Sequence, residues 1–193
     1  MVRITGGSAK GRRVGPREAF SDQAHEQRLR PSSSKVREAI FDILQREIRG
    51  STFLDLYAGT GAVGIEALSR GAERVEFVEH NDVLVKILMR LLFEMGFEGR
   101  AKVIREDAIF FVQKTGVAGP GCDIIFVDPP YASQALLRIL PVIGKSAISK
   151  IGGVVIAEHY SKNELPRNIS GLRFVKDYVY GDTALSRYVR EES

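Results

Sequence analysis

The 193-residue chain is poorest in the residues that make cross-links and metal sites. Its single cysteine, Cys122, rules out an intrachain disulfide and suits a reducing compartment, so a cytoplasmic location is expected. Cys122 ends no motif and reads as a small buried hydrophobe rather than a nucleophile. The three histidines, His25, His80 and His159, lack ligand spacing, so no metal site is expected. No apolar run approaches the roughly 20 residues that span a bilayer. The first fifteen residues, MVRITGGSAKGRRVG, lack the apolar core of a secretory signal. Repeats and low-complexity tracts are absent too. The length suits one domain with a small extension, burying roughly 70% of its unfolded surface.

Acidic charge is scarce in one place only. Residues 1–50 hold 11 Lys and Arg against 6 Asp and Glu, a net +5, while the other 143 residues hold 17 against 18. The basic excess therefore lies in the first quarter. A positive arm on a near-neutral body fits a polyanionic partner, although a solvated basic face would have the same composition.

VRIT, GGSAKG and RRV read as two short strands around a glycine-rich turn. Residues 15–31 lack periodicity and read as an exposed connection. In SSSKVREAIFDILQREIRG a serine precedes apolar positions at Val36, Ile40, Ile43, Leu44 and Ile48, which predicts a one-faced helix closed by Gly50. From Thr52 onward, strand and helix patterns alternate: TFLDLY, AVGIEALSR, RVEFVE, DVLVKILMRLLFEM, AKVIRE, AIFFVQK, DIIFVD, then SQALLRILPVI, bent or stopped near Pro141, and GVVIAEH. LRFVKDYVYGDTALSRYVR closes the chain as two strands around Gly181-Asp182. Such alternation predicts an α/β fold, a mostly parallel seven-stranded sheet with helices on both faces and an antiparallel terminal hairpin. A single unit over 32–193, preceded by a basic hairpin and linker over 1–31, is the expected organisation. With no surplus amphipathic element, a monomer is expected.

DLYAGTGAVGIEA places Gly59, Gly61 and Gly64 as G-x-G-x-x-G between a strand and a helix. Glycines there permit a tight turn and close approach of a ligand to the helix N-terminus. Glu79, ending the next strand, is placed to accept both hydroxyls of a ribose. The pair suggests an adenosine cofactor, either a dinucleotide or S-adenosylmethionine. Asp55, four residues before Gly59, favours the second: a carboxylate repels a pyrophosphate but pairs with an ammonium. It also fits a humbler role, capping the amides of its own loop. Asp107 ends the third strand, where it can reach an adenine amine or cap the helix that starts at Ala108.

CDIIFVDPPYAS ends a buried strand in Asp128-Pro129-Pro130-Tyr131. Alone, this is as much a turn as a site. At the carboxyl rim of a parallel sheet it gains a purpose. An exocyclic base amine is a poor nucleophile because its lone pair is conjugated into the ring. The Asp128 side chain and the Pro129 carbonyl could grip its two N–H bonds and free that pair. The prolines add no competing donor, and Tyr131 could stack on a base held out of its helix.

These motifs resemble the amino-methylating class I methyltransferases, whose signature is [DNS]-P-P-[YFW]. RITGGSAKGRRV, RPSSSKVREAIFDIL, FLDLYAGTGAVGIEALSRGA and DIIFVDPPY are similar, in order and spacing, to the blocks of the RsmD family, bacterial 16S rRNA guanine-966 N2-methyltransferases. The resemblance covers almost the whole chain. It departs at Ser32 and Ser34, where the family carries Thr and Asp; Ser34 would still cap the helix. It implies a Rossmann-like fold, S-adenosylmethionine as cofactor, and 16S ribosomal RNA or the small subunit as partner. Asp55, Tyr57, Ala58, Gly59, Thr60, Gly61, Glu79, His80 and Asn81 would line the cofactor pocket. Asp107 and Ala108 would flank the adenine, and Asp128, Pro129, Pro130 and Tyr131 would hold the amine. Arg3, Lys10, Arg12, Arg13, Arg30 and Lys35 would meet RNA, while Arg37, near the helix start, could instead be structural. Other readings remain from the same motifs: an adenine-N6 DNA methyltransferase, a nicotinamide-dependent oxidoreductase, or an RNA-binding module without activity.

Overall fold

Apolar residues fill both faces of the central strands, so the sheet needs cover on each side. The structure, a computed structural model, describes residues 2–14, 34–115, 121–130 and 134–192. Strands β3 (Thr52–Leu56), β4 (Arg74–Glu79), β5 (Ala101–Arg105), β6 (Cys122–Val127), β7 (Ser149–Tyr160), β8 (Asn168–Ile169), β9 (Leu172–Tyr180) and β10 (Thr183–Arg190) form one sheet in the order β5-β4-β3-β6-β7-β10-β9-β8. Pairing is parallel from β5 to β7 and antiparallel from β7 to β8. The order reverses beside β3, which opens a crevice at the carboxyl ends of β3 and β6.

Helices α1 (Ser34–Ile43), α2 (Ala62–Ser69) and α3 (Asp82–Met95) cover one face. Their Val36, Ile40, Ile65, Leu68, Leu88 and Leu92 pack with Phe53, Phe77, Phe126, Ile156 and Leu185 of the strands. Helices α4 (Ala108–Thr115) and α5 (Ala135–Lys145) cover the other, where Phe111, Val112, Ile139 and Leu140 meet Leu54, Val78, Ile125 and Val155. The result is a three-layer α/β/α sandwich.

At the N-terminus, β1 (Val2–Arg3) and β2 (Arg13–Val14) pair antiparallel as a hairpin. It is docked on the body: Ile4, Ala9 and Val14 are buried in the same cluster as α1–α3. Polar bonds fix it to α2. Ser69 Oγ donates to the Gly6 carbonyl (2.6 Å) and accepts from the Ala9 amide (2.8 Å). Glu66, fully buried, accepts from the Arg37 Nε (2.8 Å), from Arg70 Nη2 (2.8 Å) and from the Thr5 amide and hydroxyl. Arg37 reaches further, donating from Nη2 to the Arg3 carbonyl (2.7 Å). A charge so deeply buried is tolerated only when paired and hydrogen-bonded, so Arg37 is structural.

Three elements differ from expectation. Helix α1 stops at Ile43, not at Gly50, because the Glu47 amide bonds Leu44 while Arg187 Nη1 takes the Ile43 carbonyl at 3.2 Å. The apolar face still continues through the following turns, with Leu44 and Ile48 buried. Ser34 is the first helical residue rather than the cap, which falls outside the described residues. Of the two outcomes expected at Pro141, a bend or a stop, the stop is excluded: helix α5 runs through Pro141 to Lys145. The turn that loses a backbone bond there carries the exposed Leu137 and Arg138, while Ile139, Leu140 and Ile143 keep the helix seated. Finally, the two-residue β8 adds an eighth strand at the sheet edge.

Candidate active site

Five carboxylates mark the carboxyl rim of the sheet. Asp55 faces the α1–α3 side, 2% exposed, and its Oδ2 accepts from the Gly64 amide at 2.9 Å. Burial pushes its pKa up to about 7; the Gly64 amide pulls it down, and the Glu79 charge raises it. Asp55 thus caps a loop amide, one of the two roles its position suggested. Glu79 accepts from the Gly59 amide at 2.9 Å through one oxygen and from the Asn81 amide at 2.8 Å through the other. Each carboxylate oxygen keeps acceptor capacity after one such bond.

The glycine loop makes its turn through left-handed residues. Tyr57, Gly59 and Gly61 have φ of 65°, 57° and 77°. Tyr57 is the one described non-glycine residue with positive φ, a costly conformation for a bulky side chain. Its phenol is pushed up to about 12 by burial and by the Asp107 charge, which Arg138 opposes. The loop is closed by Ala58 N–H to Val78 O (3.0 Å) and Gly61 N–H to Ala58 O (2.7 Å). Thr60 is buried within it.

The three glycines do different work. A methyl at Gly61 would stand 2.3 Å from Leu88 Cδ1, and one at Gly64 would stand 2.2 Å from Phe77, so both are demanded by packing. A methyl at Gly59 would meet nothing within 4 Å. Open space therefore lies over Gly59, whose amide the Glu79 carboxylate holds. That cradle, flanked by Asp55, fits a ligand carrying both a cation and vicinal hydroxyls. These residues suit S-adenosylmethionine.

The remaining rim residues divide by exposure. Asn81 caps α3, accepting from the Val83 and Leu84 amides at 2.9 and 3.2 Å. His80 is exposed, with Nδ1 3.3 Å from Glu79 Oε1. Asp107 is exposed and caps α4, accepting from the Phe110 amide at 3.0 Å; Ala108 opens that helix and is buried. Half-buried Asp128 leaves β6 with its amide 3.4 Å from the Leu56 carbonyl, so it stands beside the start of the glycine loop. Pro129 is buried and Pro130 exposed. Tyr131 lies outside the described residues.

One rim acid was missed in the sequence reading. Glu158, 2% exposed, sits near the end of β7. The signal was present: GVVIAEH is a buried apolar strand with a carboxylate close to its end, as Asp55 is to the end of β3 and Asp128 to that of β6. Beside it opens a cleft of about 440 Å³ lined by Pro129, Pro130, Leu136, Glu158, Tyr160 and Asn163 among others. Next to it, His159 is pinned to β10 through Ser186 Oγ at 2.8 Å.

Of the basic residues, Arg3, Lys10, Arg12, Arg13 and Lys35 are exposed, and Arg30 lies outside the described residues. Arg12 also donates from Nη2 to the Glu94 carbonyl (2.5 Å), near the C-terminal end of α3. Cys122 is half-buried; burial, with Glu76 and Asp123 nearby, pushes its thiol up to about 12, which keeps it protonated. Among the described residues no group of three or more His, Cys, Asp or Glu could hold a metal, and no helix is long and apolar enough to cross a membrane.

The doubly wound sheet, with its glycine cradle and acid rim, defines a class I S-adenosylmethionine-dependent methyltransferase. That sets aside the nicotinamide reading. The chain belongs to the family described as Conserved hypothetical protein 95, which matches residues 2–189. It is 33% identical to the Bacillus subtilis protein YlbH over 187 residues, 97% of this chain and 98% of that one. It is 28% identical over 191 residues to the Escherichia coli Ribosomal RNA small subunit methyltransferase D, covering 99% and 91% of the two chains. Its fold superposes on the Escherichia coli protein yhhF with a TM-score of 0.83, at 27% identity and over 100% and 99% of the chains.

Proposed function

We propose that the protein methylates the exocyclic N2 amine of a guanine in small-subunit ribosomal RNA, of the guanine-966 type, as a cytoplasmic monomer. The observation that carries this reading is the position of Asp128-Pro129-Pro130, one hydrogen bond from the strand that feeds the glycine loop. The printed name of the Escherichia coli relative supports the substrate class.

In this reading Asp55 pairs with the cofactor's ammonium, the Gly59–Gly61 loop admits its body, and Glu79 accepts from its ribose. Tyr57, Ala58, Thr60, His80 and Asn81 shape that pocket, and Asp107 and Ala108 border the adenine. When bound, S-adenosylmethionine supplies an electrophilic methyl carbon on a cationic sulfur. The Asp128 carboxylate and the Pro129 carbonyl accept the two N–H bonds of the guanine amine and draw its nitrogen toward tetrahedral geometry. The lone pair leaves conjugation and becomes nucleophilic. Asp128 then stabilises the positive charge that grows on nitrogen and receives one of its protons. Pro130 stiffens the turn and Tyr131 stacks on the base. The hairpin and linker over 1–31 act as an RNA arm on the 32–193 domain, through Arg3, Lys10, Arg12, Arg13, Arg30 and Lys35.

The test is transfer of label from S-[methyl-³H]adenosylmethionine to small subunits lacking the modification, with nucleoside analysis of the product. N2-methylguanine is the expected product. Labelled N6-methyladenine in duplex DNA, with ribosomal RNA unlabelled, would replace this reading by the DNA one.

A further inference from the structure

The fifth rim acid has no part in the scheme above. Glu158 is an expensive residue to bury, standing two positions beyond Ile156 on a strand whose neighbours are apolar. Its direction follows from register. Phe126 pairs with Ile156 and Val127 with Ala157, so the next step along both strands sets Asp128 beside Glu158. Phe126 and Ile156 both belong to the α1–α3 face, and a period of two puts Asp128 and Glu158 on that face as well. Adjacent strands lie about 4.8 Å apart. Two carboxylates therefore stand side by side on the face of the sheet that also carries Asp55.

We infer that the target base docks edge-on against this pair and that Glu158 reads the Watson–Crick edge of the base, accepting the N1–H of guanine while Asp128 accepts from the neighbouring amine. The inference rests on the guanine-N2 reading and deepens it. Guanine carries two adjacent donors on that edge, N1–H and N2–H, and a pair of neighbouring carboxylates is the matching acceptor set. Adenine offers a bare N1 with a lone pair, which a carboxylate repels. An ionised carboxylate has about four acceptor positions and no donor, which matches the donor edge of guanine. Its burial serves the purpose. In a water-poor site the wrong edge leaves a carboxylate without its donor, and such sites discriminate more strongly than apolar pockets do. The residue is a specificity determinant: it touches the base but moves neither the methyl group nor a proton.

The experiment uses small subunits reconstituted from 16S RNA with either guanine or 2-aminopurine at the nucleotide that the wild-type protein methylates. 2-Aminopurine keeps the amine at C2 but lacks N1–H. The wild-type protein is expected to prefer guanine by roughly ten- to a hundredfold in kcat/KM, the loss expected for one charge-assisted bond. Glu158→Gln presents an N–H donor to the bare N1, and its preference is expected to narrow by roughly tenfold or more, with S-adenosylhomocysteine affinity by calorimetry unchanged. Equal use of both subunits by the wild-type protein overturns the inference without any variant, and so does a Glu158→Gln protein that keeps the wild-type preference. Absence of methylation of guanine subunits by the wild-type protein is a different failure, that of the substrate assignment itself.

Discussion

Asp55 offers a prediction in which the sign and size both follow from its surroundings. Its carboxyl is buried, held by one amide and placed near Glu79, and its pKa stands at about 7. An ammonium group can pair with it only once it is ionised. Affinity for S-adenosylhomocysteine, which carries the same amino-acid end as the cofactor, should therefore fall as pH drops below 7. From pH 7 to pH 5 the ionised fraction falls from one half to about one hundredth. That is about a fifty-fold loss of affinity, or about 2 kcal/mol. Asp55→Asn keeps an oxygen for the Gly64 amide but cannot ionise, so its binding should be weak and flat over this range. Calorimetry at four or five pH values reads both curves. The free protein has a second signature. A carboxyl whose pKa is raised on folding contributes stability that is complete below about 3.8 and is lost as pH climbs through about 7. Asp55→Asn should thus melt higher than the wild-type protein at pH 8, by up to roughly 4 kcal/mol, with the gap closing toward pH 5. A wild-type affinity that ignores pH, or an Asp55→Asn protein that keeps the slope, would refute the pairing.

Four further outcomes can be checked directly. Asp128→Ala should bind S-adenosylhomocysteine normally and lose about a hundredfold in turnover, roughly 3 kcal/mol; equal losses in both would make Asp128 a pocket wall. Neutralising Arg12 and Arg13 together should weaken RNA binding and flatten its dependence on salt, measured by filter binding at several ionic strengths. Glu66→Ala strands the Arg37 charge in the core, so unfolding should come roughly 3–5 kcal/mol earlier in a denaturant titration. Gly61→Ala should destabilise the fold more than Gly59→Ala, because only the first drives a methyl into Leu88, while Gly59→Ala should weaken S-adenosylhomocysteine binding at least tenfold by filling the cradle.

The parallel half of the sheet was legible because each strand is a short apolar run followed by a one-faced helix, and the glycine loop stands where the two meet. The rim acids at Asp55, Glu79, Asp107 and Asp128 could be read for the same reason: each ends a strand. Glu158 obeys that rule as well but lacks a motif around it, and its partner on β6 is known only once the register is. Glu66 was equally exposed to inspection, being the sole charge in AVGIEALS, yet nothing local shows that Arg37, Arg70 and Thr5 converge on it. Helix ends were the least legible. Where α1 stops depends on Arg187, 144 residues away, taking a carbonyl that a sequence window assigns to the helix. That α5 survives Pro141 depends on which turn faces water.

Helix α2 is only eight residues long, about 12 Å, yet two separate tasks end on it. Its first turn carries Gly64, whose amide holds Asp55; its last carries Glu66, Ser69 and the neighbouring Arg70, which grip the basic hairpin. One short rod is thus common to the chamber and the arm. Anyone redesigning this scaffold for a different RNA cannot treat the arm as an interchangeable tip: a graft that drops the Thr5 and Gly6 contacts disturbs the far end of the same rod, and the chamber inherits the error.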